Sequence, residues 1–220
     1  DEIAETMLTN GIVAVAVMLL NSYVDGRLED QVAEALRARL PGVLITRSSE
    51  IWPEIREYER ALVAALNAYV HPMMNRYLGA LEGRLARAGG RGSLYITASN
   101  GGTISPHTAR ARPIDTVLSG PACGVVAATH LAKTIGHAAI LSFDMGGTSS
   151  DTAIATAGEP EYATTTHIGD FPLVLPVINV SSIGAGGGSI VWVDSQGVLK
   201  VGPHSSGADP GPVCYGRGGT

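Results

Sequence analysis

The stretch Ile140-Leu-Ser-Phe-Asp-Met-Gly-Gly-Thr-Ser-Ser-Asp-Thr-Ala-Ile154 constrains the architecture more than any other part of the chain. Apolar runs at 138–143 and 152–155 flank a polar turn holding two successive glycines. Runs this short on either side of Gly-Gly-Thr-Ser predict a β-hairpin rather than a helix. Asp144 falls where the first strand ends, and Gly146 and Gly147 leave space for another group to approach the backbone closely. Thr148 and Ser149 add hydroxyl donors, and the amides of such a turn can form an anion-binding nest. A carboxylate beside a nest suits a Mg2+-bound phosphate, because that metal takes hard oxygen ligands and keeps much of its water. The simpler alternative is a tight hairpin in which the glycines only supply positive φ and Asp144 caps the turn. Two nucleotide motifs are excluded: no Lys follows the glycines as in a Walker A loop, and no G-x-G-x-x-G opens a helix.

A chain of 220 residues can bury one sizeable core or two small ones. A hydrophobic share of 45% with 16% charged residues fits a soluble globular protein. The net charge of −5, with no Lys/Arg cluster, argues against a nucleic-acid partner. The longest apolar run, 12–20, is too short to span a bilayer, and acidic Asp1 and Glu2 ahead of it do not fit a signal peptide. Cys123 and Cys214 show neither metal-ligand spacing nor a disulfide framework, which fits a reducing cytoplasm. Cys123, among small residues, is expected to be a buried apolar group rather than a nucleophile. The sequence opens at Asp1 and stops at Thr220 inside a glycine-rich run, so a central segment of a longer chain is expected.

Two α/β segments are expected, 1–92 and 93–220. In the first, a helix end at 1–10 and an apolar strand at 12–20 precede an amphipathic helix at 28–40, with Leu28, Val32, Leu36 and Leu40 on its apolar face. Pro41-Gly42 ends that helix and 43–46 forms a second strand, giving a parallel βαβ-like unit. Ser48 or Ser49 is expected to cap a long helical region running to Leu85, kinked or restarted at Pro72. Its positions Ile55, Tyr58, Leu62, Leu66, Tyr69, Met73, Tyr77, Leu81 and Leu85 recur every three or four residues and predict its core face. His71 is read as structural, and 84–91 as a solvated loop.

In the second segment, a strand at 93–98 runs into the turn Asn100-Gly-Gly-Thr103, and Ser119 caps a helix reaching about Ile135. The hairpin follows, then a strand candidate at 160–166. His167 and Asp170 invite a metal site, but two ligands without a third are weak and a plain loop is favoured. A stretch at 173–180 broken by Pro176 reads as an edge or bulged strand. Ser182-Ile-Gly-Ala-Gly-Gly-Gly-Ser189 is too glycine-dense for ordinary core and implies close backbone approach to a ligand or to another segment. A hairpin is predicted over 190–194 and 198–201, followed by an extended tail.

Taken together, the motifs resemble the hydantoinase A / 5-oxoprolinase / acetone carboxylase family. The resemblance is carried by SNGG at 99–102, ARPIDTVLSGPACGV at 111–125 and FDMGGTSSD at 143–151. It continues through SIGAGGGSI at 182–190 and VGPHSSGADPGPVCYGRGG at 201–219, and is joined by SSEIWPEIREYERALVAALNAYV at 48–70. It implies RNase H-like α/β halves of the actin/Hsp70/sugar-kinase (ASKHA) superfamily closing on ATP, here as an incomplete fragment. It places Asp144, Gly146, Gly147, Thr148 and Ser149 in a phosphate loop supported by Asp151. Asp144 is the candidate catalytic residue, acting through Mg2+ or water. Gly184, Gly186, Gly187 and Gly188 join the candidate cofactor-binding set, with nucleotide contact, substrate contact and plain packing left as alternatives.

The implied reaction is ATP-dependent opening of a cyclic amide or imide such as 5-oxoproline or a hydantoin, in which phosphorylating the amide oxygen gives an imidate-like species that water attacks. Related members activate a ketone enol for carboxylation instead. A hydantoinase B-type subunit or domain is the implied partner, and the segment alone is expected to lack turnover. Three departures from the family pattern stand out. Asn179 and Ser181 occupy places where the family usually carries Asp and His, and this motivates a non-catalytic assembly subunit as a further alternative. The family's first phosphate loop is expected ahead of this segment, and no adenosine-binding segment is identified within it.

Overall fold

Helix α1, Glu2–Thr9, precedes strand β1, Ala14–Val17, and helix α2, Arg27–Arg39, leads to β2, Leu44–Arg47, in a computed structural model that describes residues 2–169 and 171–219. The one-turn helix α3, Ser48–Ile51, and the long α4, Glu57–Arg87, follow. A short hairpin, β3 (Ile96–Thr97) and β4 (Thr103–Ile104), leads to α5, Pro106–Ala111, and then to α6, Ser119–Thr134. Next come β5, Ile140–Met145, β6, Ser150–Thr156, β7, Glu159–Pro160, and β8, Tyr162–Ala163. The remaining strands are β9, Thr166–Ile168, β10, Phe171–Leu173, β11, Val177–Ile178, β12, Val180–Ile183, β13, Ser189–Val193, and β14, Leu199–Ser205. Among the described residues no helix is long and apolar enough to cross a membrane.

The chain divides into two compact units, Asp1–Ser119 with Ala163–Val177, and Gly120–Tyr162 with Ile178–Thr220. This division differs from the boundary expected at 92/93, and side-chain tethers give the reason. Asn67 of α4 donates to the carbonyl of Ala111 at 3.3 Å and accepts from the amide of Ile114 at 3.2 Å. Arg110 pairs with Glu82 of α4, and Arg112 donates to the carbonyls of Glu50 and Ile51 at 2.6 and 3.0 Å. The residues that follow position 93 are therefore fastened to the helix that precedes it.

In the first unit β1 and β2 are parallel, with Ala14 opposite Leu44 and Val17 opposite Arg47, as the strand–helix–strand spacing predicts. Two helix faces differ from expectation. On α2 the buried positions are Glu29 and Ala33; of the expected face Leu28 and Val32 are exposed, Leu36 is half-buried, and only Leu40, at the helix end, is fully buried. On α4 they are Arg60, Val63, Ala64, Asn67, Ala68 and Leu78, whereas Tyr58, Met73 and Tyr77 are exposed and Tyr69 is 78% exposed. Helix α4 carries apolar residues on more than one side, so periodicity alone does not choose its core face. Burial goes instead to the side whose two polar residues find partners. Pro72 lies inside α4 without ending it. Ser48 and Ser49 do not cap the long helix, because α3 is a single turn and α4 starts at Glu57. Ile51, Val63, Ile114, Leu173, Leu175 and Val177 form this unit's apolar cluster.

A fully satisfied polar cluster sits beside that core. The Glu29 carboxylate accepts from the Leu19 amide at 2.9 Å, the Ser48 hydroxyl at 2.6 Å, and the Ser49 amide and hydroxyl at 2.9 and 2.8 Å. The Arg60 guanidinium donates to Ser48 Oγ at 3.2 Å and to the carbonyls of Glu54 and Leu19 at 2.8 and 2.9 Å. Burial pushes the Glu29 carboxyl upward, but the hydrogen bonds from Ser48, Ser49 and Leu19 outweigh it and hold the group down at about 2.

In the second unit the antiparallel sheet has the order β12-β6-β5, with β7 also on β6. Helix α6 covers one face, packing Ala122 and Val125 against Ala153 and Ile178. Ser119 is the first residue of α6 rather than a cap ahead of it. On the opposite face Leu141, Phe143, Met145, Ile154 and Ile183 are exposed. Strands β13 and β14 pair as the predicted hairpin, and β14 extends into what the sequence suggested was loop. Cys123 and Cys214 are both exposed, so Cys123 is not the buried apolar group expected. It lies on the solvent side of α6, one residue past the buried Ala122.

Candidate functional site

Two strands set the turn. Asp144 pairs with Asp151 and Met145 with Ser150, which leaves Gly146 to Ser149 as the loop of the hairpin. The Gly146 amide donates to the Ser149 carbonyl at 2.9 Å and closes it. The glycine run of 184–188 then lies against the same loop. The Gly187 amide donates to the Gly146 carbonyl at 2.9 Å, and the Gly188 amide to the Gly147 carbonyl at 2.8 Å.

These two bonds orient the turn. In a planar trans peptide the N–H points opposite to the C=O. With the carbonyls of Gly146 and Gly147 directed at the glycine run, the amides of Gly147 and Thr148 are directed away from it. Neither amide has a hydrogen-bond partner among the described residues, and neither do the hydroxyls of Thr148 and Ser149. Two successive outward amides with hydroxyls next to them form a nest suited to an anion.

Gly186 explains why the bracing run must be glycine. A Cβ there would lie 2.7 Å from the Gly146 oxygen, the Gly147 carbonyl carbon and the Thr148 nitrogen. A Cβ at Gly188 would lie 2.9 Å from the Gly147 oxygen. Serines hold the run in place: Ser150 Oγ donates to the Ala185 carbonyl at 2.5 Å, and Ser189 Oγ accepts from the Gly186 amide at 2.9 Å. The Ser206 amide and hydroxyl both donate to the Gly188 carbonyl, at 2.8 and 3.0 Å. The amides of Gly186, Gly187 and Gly188 are therefore occupied by protein, while Gly184 has open space about it. The spacing did not single out Ser150, Ser189 or Ser206 as braces, although each lies close to a glycine-rich stretch.

Asp144 and Asp151 stand directly opposite each other and share one face of the sheet. Like charges placed so are unfavourable unless a cation or solvent separates them. No ion pair to either is formed among the described residues. Both line a cavity of about 300 Å3, together with Ser142 and Thr152 from the sheet and Pro121 and Gly124 from the first turns of α6. The carboxylates of Asp144 and Asp151 supply hard oxygens that fit a hydrated divalent cation, and the outward amides of the adjoining turn fit an anion, although residues 146–149 do not themselves line that cavity. Asp144 is the more exposed of the two.

Other candidates are not brought to this place. His167 is exposed on β9 opposite Pro172, and Asp170 lies outside the described residues. Among the described residues no group of three or more His, Cys, Asp and Glu side chains could hold a metal. Asn179 and Ser181 are exposed, and the Asn179 amide donates to the Glu161 carbonyl at 2.8 Å. His71 keeps an unpartnered Nδ1, and partial burial holds its imidazole below the usual histidine range.

A glycine turn braced by a second glycine run, on an α/β unit with paired carboxylates, defines the class of chain. The family model for hydantoinase/oxoprolinase matches residues 60–220, and the chain belongs to that family. It is 36% identical over 206 residues to the caprolactamase subunit alpha of Pseudomonas jessenii, covering 94% of this chain and 30% of the relative. The crystal structure of the ATP-dependent caprolactamase from that organism superposes with a TM-score of 0.82 at 34% identity, over 98% of this chain and 31% of that one. A nucleotide-free acetone carboxylase structure, from work on ATP-dependent acetone carboxylation, matches with a TM-score of 0.76 at 27% identity, over 93% and 29%. The chain thus spans less than a third of the length of these relatives.

Proposed function

We propose that this chain is the phosphate-holding segment of an ATP-dependent hydrolase that opens a cyclic amide or imide of the hydantoin or 5-oxoproline type. The observation that carries the reading is the pair of outward amides at Gly147 and Thr148, fixed by Gly187 and Gly188 behind them. In this reading the fold is one part of an actin/Hsp70/sugar-kinase-type α/β pair, and ATP, when bound, supplies the phosphoryl group that activates the amide oxygen. Gly147, Thr148 and Ser149 bind phosphate oxygens through amides and hydroxyls. Asp144 holds Mg2+, directly or through its water, with Asp151 opposite it as a second acceptor. Gly186, Gly187 and Gly188 keep the turn in shape and leave nucleotide contact to the turn itself. The relative's name as a subunit supports a multi-subunit enzyme, and a hydantoinase B-type subunit is the partner we assign.

Likeness to acetone carboxylase favours a second reading, in which the same turn serves activation of a ketone for carboxylation. Both are tested by titrating the full-length protein and its Asp144→Ala variant with ATP and Mg2+ by calorimetry, then assaying phosphate release over a panel of cyclic amides and of ketones with bicarbonate. Binding that weakens in the variant, with release on cyclic amides alone, is the expected result. Bicarbonate-dependent release on ketones establishes the second reading, and equal nucleotide affinity in the two proteins overturns both.

A further inference from the structure

The loop of 209–219 is built around one side chain that the reading above leaves without a role. Tyr215 closes a short 3-10 turn, Val213–Tyr215, with its amide donating to the Pro212 carbonyl at 2.9 Å. Its ring rests on Gly211, where a Cβ would come within 2.5 Å of Cδ2 and 3.0 Å of Cε2. No other residue fits beneath the ring without displacing it, and Gly211 has φ of 74° besides. The Arg217 guanidinium lies over the same ring, 5.8 Å from its centroid, and is tied down by donating to the Ala208 carbonyl at 3.1 Å. The ring is thus seated by backbone and by a cation, while the hydroxyl has no hydrogen-bond partner among the described residues. That hydroxyl reaches the turn: it lies 3.4 Å from the position where a side chain on Gly147 would begin.

Tyr215 is 46% exposed, so the packing of its ring on Gly211 does not call for a hydroxyl, and that hydroxyl is open to a ligand. Here the tip lies beside Gly147, whose amide, like that of Thr148, is directed outward and has no partner among the described residues. We propose that Tyr215 is a further binding residue of the turn, its hydroxyl donating to a phosphoryl oxygen of the nucleotide that the Gly147 and Thr148 amides hold. The inference rests on the reading of that turn as a phosphate site. Arg217 is a positioning residue, keeping the ring against Gly211 and adding positive charge at the rim.

The test compares Tyr215→Phe and Gly147→Ala in the full-length protein, measuring ATP·Mg2+ dissociation constants by calorimetry and the urea midpoint of each variant. Tyr215→Phe keeps the ring and its seat, so the midpoint is expected to stay put while nucleotide binding weakens about tenfold, the usual scale for a hydrogen bond to a charged group. Gly147→Ala, whose added methyl meets the hydroxyl at ordinary contact distance, is expected to weaken binding as well. Unchanged affinity in Tyr215→Phe with loss in Gly147→Ala overturns the role of Tyr215 and leaves the turn standing. Unchanged affinity in both removes the phosphate reading and this inference with it. A fall in the urea midpoint of Tyr215→Phe that matches its loss of affinity marks the hydroxyl as structural and also overturns the proposal.

Discussion

The Glu29–Arg60 cluster and the 146–149 turn are both assemblies of polar groups, and they are completed in opposite ways. Around Glu29 and Arg60 the hydrogen bonds run to neighbouring protein groups, and both residues are fully buried. At the turn the rear carbonyls are matched to Gly187 and Gly188, yet the front amides and hydroxyls meet no acceptor among the described residues. Closed networks of the first kind specify and stabilise a fold, because any lost partner leaves a desolvated group behind. An assembly braced on one side and open on the other is suited to receive a ligand. The contrast separates stability from binding, and it can be broken by finding either effect in the wrong place.

The largest effect is expected in the closed cluster. Arg60→Met removes the donors to Ser48, Leu19 and Glu54 and leaves those buried acceptors without a partner, which costs about 3–5 kcal/mol by urea unfolding. Nucleotide affinity under native conditions should not change; a matching loss of affinity would contradict the separation. Next comes Asp144→Ala, expected to weaken ATP·Mg2+ binding about 10- to 100-fold in the full-length protein with little change in urea midpoint. Gly186→Ala sharpens the comparison because it touches both properties. Its methyl would collide with three backbone atoms of the turn, so a loss of about 1–3 kcal/mol in stability should accompany weakened nucleotide binding.

A smaller effect is a pH dependence. The Glu29 carboxyl is held near 2 in the folded chain against an ordinary value of 4.5. The stability it confers is therefore fully present above about 4.5 and is lost as pH falls from there toward 2. Urea midpoints measured down that range should drop more steeply in the wild type than in Glu29→Gln. Parallel curves for the two proteins would show that the carboxylate is not held as described.

Much of the second unit was legible in the sequence, because its signals are local. A hairpin with Gly-Gly at its tip and another with Ser-Gln-Gly between its strands follow from turn chemistry, and both form. The parallel pairing of β1 and β2 was readable from the helix between them. The core face of α4 was not. Tyr58, Tyr69, Met73 and Tyr77 make a good helical stripe, yet burial goes to Arg60 and Asn67, whose partners lie up to 47 residues away in the chain. No periodic pattern encodes a partner at that distance. The candidate site was half legible. Asp144 and the turn glycines stood out, whereas the division of labour between Gly186–Gly188 and the turn emerges only when the carbonyl directions are known. Tyr215 was quoted within a motif but had no neighbour in sequence to suggest what its hydroxyl meets.

Amide hydrogen exchange on the full-length protein, resolved at 146–149 and 186–188 with and without saturating ATP and Mg2+, tests the central claim most directly. The amides of Gly147 and Thr148 should exchange fast without nucleotide and become strongly protected with it, while those of Gly187 and Gly188 stay protected throughout. Equal exchange at Gly147 and Thr148 in both states, with nucleotide shown to be bound, would contradict the account.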